Sequence, residues 1–264
     1  MPIHPSAVID PRAHIDPTVE IGPYVVIDGP VTIGPRTQIH AHAVILGATT
    51  IGADNVIHTG AVIGDLPQDK AYAGQQSFVW IGDRNTIREY VQIHRGTQPG
   101  SVTRIGHGNL LMTHAHVAHN CALGDNIVLS SGALLGGHVV VEDGAFISGN
   151  CVVHQYVRVG KLSLMRGLSR TSRDVPPFCI VDGTHTVRAI NRVGLRRAGY
   201  SSTQIQALHR AFRKLFFRPG NLAVRLRELE QEPMTEEVSY LLAFIRASRR
   251  GVCHGPRARL VDEE

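Results

Sequence analysis

The sequence predicts a parallel β-helix followed by a small helical domain, and three observations carry that expectation. The first is a six-residue period. Counting by sixes from Ile3 to Met165 gives 28 positions, of which 25 are aliphatic, whereas aliphatic residues fill only about a quarter to a third of an average chain. The second is the company these positions keep. Gly often follows the aliphatic residue (IG at 21, 33, 51, 81 and 105, LG at 123 and 135, VG at 159). A small or branched residue stands four places after it, as at Ala7, Ala13, Val19, Val25, Val31, Thr37 and Ala43. The third is composition. Aromatic residues make up only 5% of the chain, so stacked aliphatic side chains must fill the core.

Each hexad reads as a short strand and a turn. The aliphatic residue points inward, as does the small residue two before the next one, and the Gly lets the backbone turn tightly. The pattern resembles the left-handed β-helix of hexapeptide-repeat acyltransferases, in which three hexads close one triangular coil. The handedness comes from that resemblance, and roughly nine coils follow from it. The period is broken at Asp69, Gln75 and Pro99. Residues 65–79 and 98–104 are therefore expected to be loops thrown out from the stack, where binding residues concentrate. After Arg170 the pattern dissolves through DVPPF (174–178). Helical patterns follow. One is capped near Ser202 and places Ile205, Leu208, Phe212, Leu215 and Phe216 on one face. A second is capped by Asn221 and runs through Leu222, Leu226 and Leu229, and a third spans about 236–248. The expected fold is all-β, a parallel β-helix over residues 1–185, with a small α-helical domain over 186–264 and an irregular tail after Arg249.

Net charge is +5 and uneven: residues 186–264 hold 15 Lys and Arg against 8 Asp and Glu, and residues 1–185 hold 12 against 14. That excess favours an acidic partner for the C-terminal third. Cys121, Cys151, Cys179 and Cys253 show no CxxC and no paired spacing, as in a reducing compartment. The first residues show no basic-then-apolar leader, and no apolar run approaches membrane-spanning length. A cytoplasmic protein without stable membrane insertion is expected.

The segment THAHVAHNC (113–121) holds three histidines in nine residues. Leu111, Ala115 and Val117 take inward slots, which leaves His114, His116 and His119 outward. Residues three hexads apart stack, so His119, Gly137, His138, His154 and Gln155 share one outward patch over three coils. The repeat itself requires no outward histidine. The patch fits a neutral imidazole acting as general base among substrate-binding neighbours. It competes with tolerated surface residues and with a metal site. His114 and His119 have the spacing of the paired zinc ligands in γ-class carbonic anhydrases, but Phe78 stands where the third ligand is expected.

Five segments then match one family: IGDRNTIREYVQIHRGT (81–97), NLLMTHAHVAHNC (109–121), GGHVVVEDGAFISG (136–149), VVHQYVRVG (152–160) and DVPPF (174–178), followed by NRVGLRRAGY (191–200). Together they resemble the UDP-N-acetylglucosamine 3-O-acyltransferases that begin lipid A synthesis. The resemblance implies that His119 is a general base. It would take the proton of the sugar 3-hydroxyl, which attacks the thioester of a (3R)-hydroxyacyl chain on acyl carrier protein. The Gly137 N–H is implied as the oxyanion donor. Gln68 and Asp69 are implied to bind the sugar, His116, His138 and Gln155 the sugar nucleotide, and Asn191 and Arg197 its nucleotide half. His154 is a further active-site histidine. The resemblance also implies a homotrimer with clefts between adjacent β-helices, acyl carrier protein as the acidic partner, and no cofactor, metal or nucleic acid. The acyl donor rides on the carrier's phosphopantetheine.

Three positions depart from the family pattern. Asn120 replaces the usual Asp after the base, Lys70 stands one place before the usual Lys, and Arg166 enters the stretch that sets acyl-chain length. These departures leave room for a paralogue with altered acceptor, and Asn120 for an inactive binding scaffold; the related N-acyltransferase and the zinc enzyme are the other readings.

Overall fold

The computed structural model describes residues 3–256. The chain winds into a triangular prism whose three faces are parallel sheets. Face one runs from Val8–Ile9 to Arg170–Thr171 and face two from His14–Ile15 to Arg158–Val159. Face three runs from Glu20–Ile21 to Cys179–Val181 and ends in one antiparallel strand, Val187–Ile190. The hexad isoleucines fill the interior, with Ile27, Ile45, Ile63, Ile81, Ile93 and Ile105 at most 1% exposed. Backbone N–H groups bond in both directions between coils, upward as from Val8 to Val25 O and from Val26 to Ala43 O, and downward at the corners as from His42 to Pro23 O and from His138 to His119 O. Each end of the prism is therefore an open sheet edge that presents both N–H and C=O groups.

Stacked residues are normally three hexads apart, as in Val26 over Val8 and Leu134 over His116. Gln92 stacks over Val62 and His116 over Gln92, which inserts two extra hexads and then one. The insertions lie between the strands Val62–Asp65 and Phe78–Ile81, and between Gln92–His94 and Val102–Ile105. The loops are therefore 66–77 and 95–101. Asp65, Phe78, Val79 and residues 102–104 belong to strands, and the second loop begins earlier than expected, at Arg95, because polar residues there hide its start. Both loops leave the same edge of the prism, between faces one and two.

The glycines that follow the aliphatic positions do not supply the turn. The left-handed residues come two places later, at Tyr24, Arg36, Asp54, Arg84, Asn126 and His138. The glycines are needed for close approach between coils. A Cβ on Gly34 would lie 2.8 Å from the Gly52 carbonyl carbon, and one on Gly160 would lie 2.5 Å from the Pro177 nitrogen.

Four helices follow: α1 (Arg192–Arg197), α2 (Ser202–Phe217), α3 (Leu222–Glu230) and α4 (Glu236–Arg246). Ser201, rather than Ser202, caps α2 in a reciprocal capping box with Gln204. Residues 187–190 extend face three instead of opening the helical region. Arg158 docks α4 onto the prism: its guanidinium lies 4.0 Å from the Phe244 ring centre, donates to the Phe244 carbonyl and pairs with buried Asp174. The tail pairs with the upper end of the prism: Asp174 N–H donates to Gly251 O at 2.9 Å and Val187 N–H to His254 O at 2.8 Å, while Cys253 N–H donates back to Asp174 O at 2.8 Å. The last part of the expected helical domain and tail, 257–264, lies outside the described residues.

Candidate active site

One slot in each hexad needs no backbone donor. In the first coils it is filled by Pro5, Pro11, Pro17, Pro23 and Pro35, which have no N–H. Higher up, the slot carries other residues, and their N–H groups become available. On the edge between faces two and three they are sealed by side chains from the next coil. Ala53 N–H donates to Asp83 Oδ1 at 2.8 Å, Asp83 N–H to His107 Nδ1 at 2.9 Å, His107 N–H to Asp125 Oδ1 at 2.7 Å, and Asp125 N–H to Asp143 Oδ1 at 2.9 Å.

On the edge between faces one and two, the same slot holds His119, Gly137, Gln155 and Arg173. Gly137 brings no side chain to seal the coil beneath it, and the His119 ring occupies that space. A Cβ on Gly137 would lie 2.5 Å from His119 Cε1 and 2.6 Å from Nε2. Among the described residues the Gly137 N–H has no acceptor, whereas Gly136 and His138 donate to the carbonyls of Val153 and His119. A free donor and an imidazole edge therefore lie side by side.

The tautomer of His119 follows from its neighbours. Thr97 N–H donates to the Asn120 side chain at 3.0 Å, which identifies the accepting atom as Oδ1. His119 Nδ1 lies 2.9 Å from that same oxygen and must carry the proton. Nε2 is left with its lone pair, and it faces Asp69 Oδ2 at 3.6 Å. His119 is 8% exposed, so its ring is held while the Nε2 side remains approachable. Asn120 sits at a left-handed corner with φ of 61°, a conformation that Asn tolerates well.

His138 occupies the next corner up, edge-on to His119 at 5.2 Å and stacked on Tyr156 at 4.5 Å. Burial, and then repulsion from a charged His119, hold its pKa below the usual imidazole value. His116 points outward from face one, but its Nε2 is buried without a partner. Burial and the His94 ring 5.1 Å away lower its pKa also. His94 Nδ1 donates to Leu66 O at 2.7 Å, which ties down the start of the 66–77 loop. In that loop Gln68 is exposed, and Asp69 caps Ala71 N–H at 2.9 Å through Oδ1. His154 and Gln155 are exposed one coil above Gly137, and an Arg250 nitrogen lies 3.4 Å from His154 Nδ1.

The remaining expected residues lie elsewhere. His114 is on the edge between faces three and one, stacked on Tyr90 at 5.3 Å. It cannot share a metal ion with His119, and among the described residues no three His, Cys, Asp or Glu side chains are placed to hold one. Asn191 and Arg197 belong to the edge between faces two and three. Asn191 is buried as the N-cap of α1, accepting from Gly194 N–H at 3.0 Å and donating to Leu162 O at 2.9 Å. Arg197 is exposed on α1. Cys121, next to the His119 pair, is no nucleophile, because burial pushes its thiol up to about 12.

With this geometry in view, the relatives are informative. Residues 174–253 match the family described as UDP N-acetylglucosamine O-acyltransferase, domain 2, and residues 30–65 match the bacterial transferase hexapeptide family. An acyl-[acyl-carrier-protein]–UDP-N-acetylglucosamine O-acyltransferase of Janthinobacterium sp. (strain Marseille) is 44% identical over 95% of this chain and 98% of its own. The chain belongs to this O-acyltransferase family. Among solved structures, the UDP-N-acetylglucosamine acyltransferase of Bacteroides fragilis superposes with a TM-score of 0.92 at 41% identity, over 95% of this chain and 99% of that one. The Arabidopsis enzyme gives 0.88 at 37%, over the same shares. The fold is the left-handed parallel β-helix of the O-acyltransferases, with its small helical region at the C-terminal end.

Sequence reading missed Thr97, the role of Asn120 in fixing the tautomer, and Tyr156. One signal could have found two of them. Asn120, His138 and Tyr156 are spaced by whole coils, and the same phase carries the left-handed corner throughout the prism.

Proposed function

We propose that this O-acyltransferase moves a (3R)-hydroxyacyl chain from acyl carrier protein to the 3-hydroxyl of UDP-N-acetylglucosamine, the first step of lipid A synthesis, with His119 as general base. The observation that carries this reading is the open His119 Nε2 beside the free Gly137 N–H. The sugar hydroxyl gives its proton to Nε2 as its oxygen attacks the thioester carbon. The oxyanion that forms accepts from Gly137 N–H. Collapse breaks the C–S bond, and the pantetheine sulfur leaves with the proton returned from Nε2. Asn120 holds the ring in the tautomer that each half of this cycle needs. No side-chain nucleophile and no metal enters the scheme, and the carrier brings its own phosphopantetheine.

Asp69 and Gln68 flank the base from the loop and suit the sugar hydroxyls, with His116, His138, His154 and Gln155 along the same edge. Arg197 suits a diphosphate. It lies on a different edge from His119, as does Asn191, so one protomer alone offers only half of the binding set. A homotrimer, in which one prism's edge faces the next, would join the halves. Exposed Leu134 and Val152 on face one, 42% and 46% open, favour such packing. The excess positive charge of residues 186–264 suits acidic acyl carrier protein. Among the described residues no helix is long and apolar enough to cross a membrane, and cytoplasmic placement follows from the carrier-borne donor.

Acyl transfer from a panel of hydroxyacyl carrier proteins, with chelator present, tests the proposal. Turnover by the wild type that is lost in His119→Ala supports it. Turnover that survives His119→Ala, or that chelator abolishes, overturns it.

A further inference from the structure

One side chain ties two loops inserted at the same edge to the residue that holds Asn120. Gln75, in the 66–77 loop, accepts Ala73 N–H through Oε1 at 2.9 Å and donates through Nε2 to the Thr97 carbonyl. Thr97 is the residue whose own N–H fixes Asn120 Oδ1 at 3.0 Å, and Asn120 in turn receives the His119 Nδ1 proton at 2.9 Å. Asp69 Oδ2, in the same loop as Gln75, lies 3.6 Å from the opposite nitrogen of that ring. The two sides of the imidazole are thus referred to one another through Gln75, Thr97 and Asn120. Gln75 stands at a hexad position where the repeat calls for an aliphatic residue, so the stack gains nothing from it. The other ties between the loops, Gly100 N–H to Gln76 O and Arg95 Nη2 to Tyr72 Oη at 3.1 Å, do not pass through Asn120.

We propose that Gln75 is a positioning residue for His119: by linking the Asp69 loop to Thr97, it fixes the Asn120 acceptor and, through it, the ring that serves as base. This rests on the reading of His119 as base. The link works through backbone atoms of Thr97, so no side chain other than Gln75 can be removed to break it between the loops. Its effect belongs to kcat, because the ring must be aligned in the transition state, and not to the first capture of the sugar nucleotide.

The test is a double-mutant cycle on the full-length protein, measuring kcat and KM for UDP-N-acetylglucosamine in wild type, Gln75→Met, Asn120→Ala and the double variant, with His119→Ala alongside. Gln75→Met is expected to lower kcat about tenfold with KM changed less than about twofold, and the double variant to match Asn120→Ala alone, since both substitutions cut the same chain. Gln75→Glu keeps the acceptor for Ala73 N–H and loses only the donor to Thr97. It should show the same defect, and it serves if the Met variant does not fold. Wild-type kcat in both Gln75 variants, or losses that multiply in the double variant, would overturn the proposal while His119→Ala stayed inactive. Activity in His119→Ala would instead remove the base reading on which it rests.

Discussion

His107 and His119 occupy the same hexad slot on two edges of one prism, and their rings are set in opposite senses. His107 Nδ1 accepts Asp83 N–H at 2.9 Å, so its remaining proton sits on Nε2 and its lone pair is spent on the backbone. His119 Nδ1 gives its proton to Asn120 at 2.9 Å, so its Nε2 lone pair is free. The rest of each edge follows suit. Where Asp83, Asp125 and Asp143 seal backbone donors, the edge is a structural ladder. Where Gly137 replaces the sealing side chain, a donor and a base are left open together. A periodic column of polar residues is therefore not a site in itself. The site arises where the column is interrupted and two loops close over the gap.

Substitutions can break that contrast. His119→Ala should lower kcat about a thousandfold, whereas His107→Ala should keep kcat within about twofold, both read as acyl transfer per folded protein. Next in size is Gly137→Ala. Its methyl would enter the ring space, and its backbone is not left-handed, so a folded protein with kcat lowered about a hundredfold is expected. Equal losses for His107→Ala and His119→Ala would end the contrast.

The inside of the sealed edge offers the reverse case. Asn55, Asn85 and Asn109 form a buried chain in which Asn85 donates to Asn55 Oδ1 at 3.0 Å and accepts Asn109 N–H at 2.9 Å. Asn85→Ala orphans groups on both sides and should cost about 2 kcal/mol of stability in chemical denaturation, while kcat of the folded fraction stays near wild type.

The smallest effect concerns pH. Burial keeps His116 and His138 neutral below the usual imidazole value of 6.5. The unfolded chain then takes up protons first as pH falls through about 6.5. Their contribution to stability is full above that value and is lost on acidification until the folded rings also protonate. Tm should fall from pH 7.5 to 5.5, and replacing His116 and His138 together by Gln should flatten that slope. An unchanged slope would show that other groups govern it.

Much of this was legible in the residues. The isoleucine period gave the stack, and the three-hexad spacing brought His119, Gly137 and His138 together, because a regular coil converts sequence distance into height. Capping signals placed the starts of α2 and α3 within a residue, and the apolar face of α4 placed that helix within a residue or two. Short α1 escaped because six residues carry no amphipathic period. The role assigned to the glycines was mistaken, since a repeat shows where small residues recur and not whether φ or contact demands them. The Thr97–Asn120 link was hidden because a backbone donor in a loop leaves no trace in residue identity.

The way the prism ends reaches beyond the active site. A bare prism would end, above and below, in open sheet edges that present unpaired N–H and C=O groups alike, the kind of face from which a filament grows. The Gly251–His254 tail occupies the upper edge, accepting from Asp174 and Val187 and donating to the carbonyls of Asp174 and His185. With one face occupied, end-to-end addition has no starting point. A short segment distant from the chemistry thus keeps a self-complementary scaffold from becoming a fibre.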